Sequence, residues 1–351
     1  MSDRRLDLGR RTFLKSGMAA GVAALSGSVA AGEAEAPAAP DIRSDLAIPQ
    51  KEFGRTGHKL PILAFGGAPI TVIFARTYGV ELLPTDQRVE LVRYAYDQGI
   101  RYFDTARVYG ESESIIGKAL LGVRRNVYLA TKCHATRPED VRKMVEASLK
   151  ALQTDYLDAV QIHSPAIERL GFEGSMRLHA ELVKLRDERM VRFLGLTTHV
   201  AFEDVLRMIE TDGFDQVLLA YGYFRRGMDS ILSHAKIEAR DECLAAAHER
   251  RMGIVAMKVL AANILNHNSP KVVAEFDEKA RARLAPAAIR WVLQDERIGM
   301  LNIGAAMKGD VDANIATLKG DTRFTNDDRR VLAQFSRLAY ESEFVKQMKV
   351  T

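Results

Sequence analysis

The sequence predicts an α/β fold: a closed (β/α)8 TIM barrel in a single domain, preceded by a cleavable signal segment. Three observations carry this. Eight short β-branched or apolar runs alternate with amphipathic stretches from Leu60 onward, the pattern of parallel strands with helical crossovers. The folded part, roughly 300 residues, suits one such barrel. The first thirty residues differ in composition from everything after them.

The leader comes first. Arg10-Arg11-Thr12-Phe13-Leu14-Lys15 is a paired arginine, an apolar pair and a lysine, followed by a mildly apolar, Gly/Ala-rich run from Ser16 to Ala31. That order is the order of a twin-arginine (Tat) signal peptide over residues 1–31. Gly17, Gly21, Ser26, Gly27 and Ser28 would make it a poor amphipathic helix. Small residues at Ser28-Val29-Ala30 allow cleavage after Ala30, and 32–48 forms an Ala/Glu/Pro-rich linker. The expected partner is the Tat export machinery and the expected location is the periplasm or another exported compartment. The mature form would keep no stable membrane anchor, because no later stretch has eighteen apolar residues.

The barrel domain is expected over 49–345. Residues 51–60, with Gly54 and Gly57 as turn residues, suggest a hairpin closing the barrel's bottom. The expected strands are Ile62–Gly66, Arg101–Asp104, Val127–Thr131, Leu157–His163, Val191–Thr197, Gln216–Ala220, Gly253–Met257 and Met300–Ile303. Between and after them, 85–98, 113–121, 137–152, 172–189, 203–211, 240–251, 285–294 and 310–318 carry apolar residues three and four apart. An open doubly wound sheet is the rival architecture, but Gly66-Gly67-Ala68 is not the glycine fingerprint expected after its first strand. The segment 71–84 is then a longer loop on the catalytic face.

Composition excludes several function classes. The formal charge is +4, but residues 1–30 hold five basic and two acidic residues, leaving 45 basic against 44 acidic. A near-neutral surface without basic clusters gives no reason to expect nucleic-acid binding. Two distant cysteines, Cys133 and Cys243, suit neither a zinc site nor a cluster, and no metal is expected. A metal-dependent hydrolase on this barrel would need His-x-His or a similar cluster at a strand end, and none is present.

Active sites of such barrels lie at the carboxyl ends of the strands. Asp104 ends the second run, Tyr109 follows five residues later, Lys132 follows the third, and His163 ends the fourth. Consecutive strands would bring all four to one side of one mouth.

The run Asp104-Thr105-Ala106-Arg107-Val108-Tyr109-Gly110, extended by Glu113 and Gly117, resembles the Asp-Thr-Ala-x-x-Tyr-Gly motif of the aldo/keto reductase family. Ala130-Thr131-Lys132 and Gln161-Ile162-His163-Ser164-Pro165 resemble its lysine and histidine segments, and the similarity runs from about Phe53 to Leu318. The resemblance implies an NAD(P)H-dependent oxidoreductase that interconverts carbonyls and alcohols, with Asp104, Tyr109, Lys132 and His163 catalytic. Tyr109 would be the proton donor in reduction. A phenol with a reference pKa of about 10 is a slow donor near neutrality, so a nearby Lys132 ammonium, held charged by Asp104, would lower it. His163 would bind the carbonyl oxygen.

For the cofactor, NADP(H) or NAD(H), the resemblance points to Gly67, to Thr197 and Thr198 for the nicotinamide carboxamide, and to Met257 packing on the ring. Lys258 would reach the pyrophosphate, and Gly304, Lys308 and Asn314 would hold the adenosine phosphate end. Asp310 stands where the family often has an arginine for the 2′-phosphate, and Ala305 replaces a hydroxyl. A carboxylate repels a dianionic phosphate, so weakened discrimination for NADP(H) is expected. Leu218 replaces a common glutamine, and nothing in the sequence assigns roles to His199 and Arg192. Phe74, Tyr78 and Phe224 suggest an apolar lining for the small-molecule carbonyl or alcohol substrate, an aromatic or sugar-derived carbonyl. Of two alternatives, a cofactor-binding regulatory barrel without turnover stays open, and an added electron-transfer partner on an iron–sulfur extension does not. The second lacks any cysteine after Cys243 to hold an iron–sulfur cluster.

Overall fold

The structure, a computed structural model, describes Ile42, residues 48–78 and residues 81–351. The signal segment 1–31 and most of the linker 32–48 lie outside the described residues, as does the side chain of Tyr78.

Eight parallel strands close into a barrel. They are β1 (Leu63–Gly66), β2 (Tyr102–Asp104), β3 (Tyr128–Cys133), β4 (Leu157–Ile162), β5 (Val191–Thr198), β6 (Gln216–Ala220), β7 (Gly253–Met257) and β8 (Met300–Gly304). β8 pairs with β1, and β6 pairs with β7. The eight runs legible in the sequence are therefore the eight barrel strands. Each is an apolar run because helices cover the sheet outside and side chains fill it inside.

The helices that follow them are α1 (Thr85–Asp97), α2 (Ser112–Ala119), α3 (Val141–Leu152), α4 (Ser164–Asp187), α5 (Phe202–Glu210), α6 (His234–Glu249), α7 (Leu284–Leu293) and α8 (Lys308–Lys319). Three begin at least two residues earlier than their periodicity suggests, each for a local reason. Pro165 sits at the first turn of α4 and preorganises it, while Gly171 (φ 62°, ψ −167°) breaks the helix seven residues in and hides that turn from a periodicity reading. Ser233 caps α6 by accepting from the Lys236 N–H at 3.3 Å. Asp310 accepts from the N–H groups of Ala306 and Met307 at the start of α8.

The expected hairpin is present, Gln50–Glu52 antiparallel to Lys59–Pro61, and it does close the barrel's bottom. Phe53 follows its first strand and packs edge-on against Tyr102 and Tyr128, each 5.6 Å away between ring centroids. Gly54 turns the chain at φ 56°, and a Cβ there would stand 2.2 Å from the Gly253 nitrogen at the start of β7. Only glycine fits that approach.

Above this plug, Gln216 links two stacked tyrosines, accepting from Tyr128 at 2.7 Å and donating to Tyr102 at 2.9 Å. These three buried polar side chains are thus paired with one another, as burial requires. Ala64, Ala130, Ala159 and Leu218 fill the barrel with small and apolar side chains.

Some elements were not anticipated. The loop after β1 contains a short helix, Val72–Tyr78. After α8 comes Asn326–Glu341, started by a reciprocal Thr325/Asp328 cap and tied to α7 by Arg290 and Asp328 at 2.6 Å. Lys349–Val350 pairs in parallel with Ser230–Ile231 beyond β6, so the packed chain continues past residue 345.

Candidate active site

Strand register assembles the site. Gly66 pairs with Asp104, Asp104 with Ala130, and Lys132 with Gln161, so the ends of β1 to β4 rise side by side. Along a strand alternate residues face one side. Asp104, Lys132 and Gln161 share the barrel's inward face with Tyr102, Ala130 and Ala159.

Lys132 is 2% exposed and Asp104 3%, so their charges must be met within the protein. The Lys132 Nζ donates to Asp104 Oδ2 at 2.5 Å and to the Thr105 carbonyl at 2.7 Å. Gln161 Nε2 donates to Asp104 Oδ1 at 2.9 Å and Asn302 Nδ2 to Oδ2 at 3.0 Å. Gln161 and Asn302 were not singled out from the sequence as site residues. The available signal was a polar side chain at an inward position of an otherwise apolar strand.

Tyr109 lies in a short 3-10 turn, Arg107–Tyr109, just after β2. The Lys132 Nζ is 5.1 Å from its ring centroid, and the His163 ring meets it edge-on at 6.0 Å. All four residues expected to carry chemistry therefore converge. The balance on the phenol differs from expectation: burial raises its pKa, the Lys132 ammonium opposes that, and burial wins. Lys132 itself is held above its usual value, because Asp104 and Tyr109 outweigh the burial that lowers it. His163 is pushed well below 6.5 by burial and by Lys132, so it stands neutral. Its Nδ1 is buried without a hydrogen-bond partner among the described residues, as is Nδ1 of His199.

These groups open into a cleft of about 310 Å³, lined among others by Gly67, Tyr109, His163, His199, Lys258 and Gly304. Gly67 and Gly304 do line it, for steric reasons. A Cβ on Gly67 would stand 2.6 Å from Ser112 Oγ, and one on Gly304 would stand 2.2 Å from Pro69 Cγ. Met257 and Lys258 also line the cleft, as does Asn302. The Lys258 ammonium forms no hydrogen bond or ion pair among the described residues, and burial, then Arg226, pushes its pKa down to about 8. From Lys258 to Asn263 the backbone is left-handed at four non-glycine residues, Lys258, Ala261, Ala262 and Asn263.

The other expected cofactor residues are not among those lining this cleft. Thr197 accepts from the Ser164 N–H at 2.8 Å, and Thr198 accepts from the N–H groups of Val200 and Ala201. These hydroxyls organise the starts of α4 and α5, and neither lines the cleft; His199 does. Lys308 is exposed, its Nζ 5.4 Å from the Tyr94 ring centroid. Asn314 is buried within α8, and neither of these two lines the cleft. Asp310 is paired with His267 at 2.8 Å in addition to capping α8. Of the apolar residues expected at the substrate, Phe74 lines the cleft, whereas Phe224 is buried in the core and stacked on Tyr340. Among the described residues no cluster could hold a metal ion, and no helix is long and apolar enough to cross a membrane.

Comparison with known proteins agrees with this geometry. The model of the aldo/keto reductase family matches residues 74–334. The aldo-keto reductase YhdN of Bacillus subtilis is 30% identical over 286 residues, 70% of this chain and 83% of that protein. L-galactose dehydrogenase of Arabidopsis thaliana is 27% identical over 299 residues, 77% of this chain and 88% of its own. Among solved structures, an aldo-keto reductase from Bacillus halodurans, in its holo form, superposes with a TM-score of 0.64 at 18% identity, covering 82% of this chain and 96% of that one. One from Klebsiella pneumoniae, in complex with NADPH, gives 0.59 at 21% identity, covering 84% and 96%. The matched span includes the whole of the converged site, and the chain belongs to the aldo/keto reductase family and is an oxidoreductase of that type.

Proposed function

We propose that the protein reduces aldehydes and ketones to alcohols, or runs the reverse reaction, with NADH or NADPH, Tyr109 carrying the proton. The observation that carries this is the convergence of Tyr109, Asp104 and His163 on one cleft, with Lys132 paired to Asp104 and beside the Tyr109 ring. A regulatory barrel without turnover would have no need of a complete proton-transfer set.

The residues present fit a dinucleotide. Two imidazole nitrogens lack partners, and Lys258 is an unpaired cation in the cleft wall. Successive backbone N–H groups beside left-handed residues form concavities suited to phosphate oxygens, which describes Lys258–Asn263. Met257 offers a polarisable surface to a planar ring. When bound, the nicotinamide would supply or accept the hydride.

The protein's part is to place and discharge the proton. Neutral His163 hydrogen-bonds the substrate oxygen and leaves the carbonyl carbon exposed to attack. As negative charge grows on that oxygen, the Tyr109 Oη gives up its proton. The Lys132 ammonium then faces a phenolate and stabilises it, most effectively in a site that excludes water. Asp104, fixed by Gln161 and Asn302, keeps Lys132 charged and aimed.

Asp310 occupies the backbone N–H groups at the start of α8 and pairs with His267, which leaves a carboxylate where a 2′-phosphate would need a cation. Fluorescence titration of the protein with NADH and NADPH is expected to give dissociation constants within about tenfold of each other, a difference of no more than ~1.4 kcal/mol. A hundredfold preference for NADPH would remove the role given to Asp310. If neither dinucleotide bound, and no aldehyde in a model panel were reduced, the reductase reading itself would fall.

The leader supports a second proposal, export in the folded state through the twin-arginine route, with residues 1–31 removed and the barrel delivered to the periplasm or its equivalent. Replacing Arg10 and Arg11 by lysine is expected to leave the precursor uncleaved in the cytoplasm. A mature protein in the exported fraction of that variant would contradict it.

A further inference from the structure

The loop after β1 has a feature that the proton-transfer chemistry does not use. Its short helix, Val72–Tyr78, carries Ile73, Phe74 and Thr77 into the cleft wall beside Tyr109. Ile73 is 54% exposed, an open apolar side chain on the cleft rather than in the core. It lies over the turn that follows Tyr109, with its Cδ1 3.6 Å from where a Gly110 Cβ would be.

What holds this helix in place is the residue after Gly110. Gly110 reverses the chain at φ 62°, and Glu111 then points its carboxylate back at the loop. Oε1 accepts from the Val72 N–H at 3.0 Å and from Arg88 Nη1 at 2.7 Å. The same guanidinium, 8% exposed, donates to the Ile70 carbonyl at 2.8 Å and to Thr85 Oγ1 at 2.9 Å. Arg88 thus grips the loop before its helix and again where α1 begins, and Glu111 joins that grip to the Tyr109 turn. Burial raises the Glu111 carboxyl, but Arg88 and the backbone N–H donors outweigh it and hold it below the usual range, so it is ionised at neutral pH. The loop's own bonds, from the Thr71 hydroxyl to the Ala68 carbonyl and from the Phe74 N–H to Thr71, shape the helix without tying it to the catalytic turn.

We infer that Glu111 is a positioning residue for substrate selection: it locks the Ile73/Phe74 wall to the turn carrying Tyr109, so that the cleft recognises carbonyl substrates with an apolar, aryl or alkyl body. This rests on the reductase reading above. A substrate long enough to touch the wall gains from its placement, whereas one that ends near the carbonyl does not. A single methylene buried in an apolar pocket distinguishes two substrates by about 10- to 200-fold.

The test compares propanal with an aryl aldehyde, 3-phenylpropanal, in wild type, Glu111→Ala, Glu111→Gln and Val72→Pro. Proline at the first position of a helix is tolerated and removes the N–H that Glu111 receives, leaving Glu111 itself intact. Glu111→Ala is expected to raise KM for 3-phenylpropanal about tenfold, with kcat and the propanal KM changing far less and the NADH dissociation constant holding. Val72→Pro should show the same split. Glu111→Gln, which keeps an acceptor for Val72 but loses the charge opposite Arg88, should fall between.

A loss shared equally by both aldehydes, a parallel loss of NADH affinity, or no change in either KM would overturn the inference. Amide hydrogen exchange reads the same joint without turnover. In Glu111→Ala the amides of 72–77 should exchange at least fivefold faster while those of α3 do not, and unchanged exchange at 72–77 would overturn it. Should wild type reduce neither aldehyde, the reductase reading fails on that result, and the exchange data still decide whether Glu111 holds the helix.

Discussion

Tyr109→Phe is expected to bind NADH and NADPH with unchanged affinity and to reduce model aldehydes about 10²- to 10⁴-fold more slowly, the usual contribution of a positioned proton donor. Removing one hydroxyl leaves the ring that Lys132 and His163 pack against, so the cleft keeps its shape. The pH dependence gives a second reading of the same group. Burial holds the phenol above its ordinary value despite Lys132, which keeps it protonated throughout the neutral range. In wild type, kcat for reduction should therefore stay level with respect to this group to at least pH 9. Alcohol oxidation, which needs the phenolate as acceptor, should climb as pH rises toward and past 10. Stopped-flow kinetics with a pH series in both directions would check this. Retention of more than a tenth of wild-type reduction by Tyr109→Phe would move the proton donor to another group.

The second large effect concerns the ion pair beneath it. Lys132→Met should lower unfolding free energy by about 3–5 kcal/mol, the cost of leaving a buried charge without its partner, because Asp104 would then face only the neutral donors Gln161 and Asn302. Adding Asp104→Asn removes that charge, and the double variant should recover most of the lost stability. Neither should recover activity, since the ammonium that stabilises the Tyr109 phenolate is gone from both. Urea unfolding alongside kcat separates the two roles. A double variant less stable than Lys132→Met, or a single variant destabilised by under 1 kcal/mol, would show that the pair is not the buried electrostatic unit described.

The family motif and the strands were legible because both depend on short-range order. Gln216–Ala220 and Gly253–Met257 were readable to the residue, since a strand covered on both faces is a continuous apolar run with polar or turn residues at its ends. Asp104, Lys132 and His163 were readable as a group because neighbouring parallel strands in a closed barrel bring their ends together. The α4 turn before Gly171 and the helix Asn326–Glu341 escaped, one because a single left-handed glycine interrupts the periodicity, the other because it lies outside the eightfold repeat.

The sequence by itself thus determined the barrel, the order of its strands, the family and the four residues that converge at the proposed site. Only the tertiary structure decided where each remaining polar group spends its hydrogen bonds. Thr197 and Thr198 accept from the backbone of the next helices, and Asp310 commits to His267 and α8. Gln161 and Asn302 converge on Asp104 from distant strands, and Glu111 reaches back across the loop to Val72 and Arg88. The physical reason is that a hydroxyl, amide or carboxylate has several possible partners of similar strength, and the choice among them is made by which backbone and side-chain groups the closed barrel brings within about 3 Å.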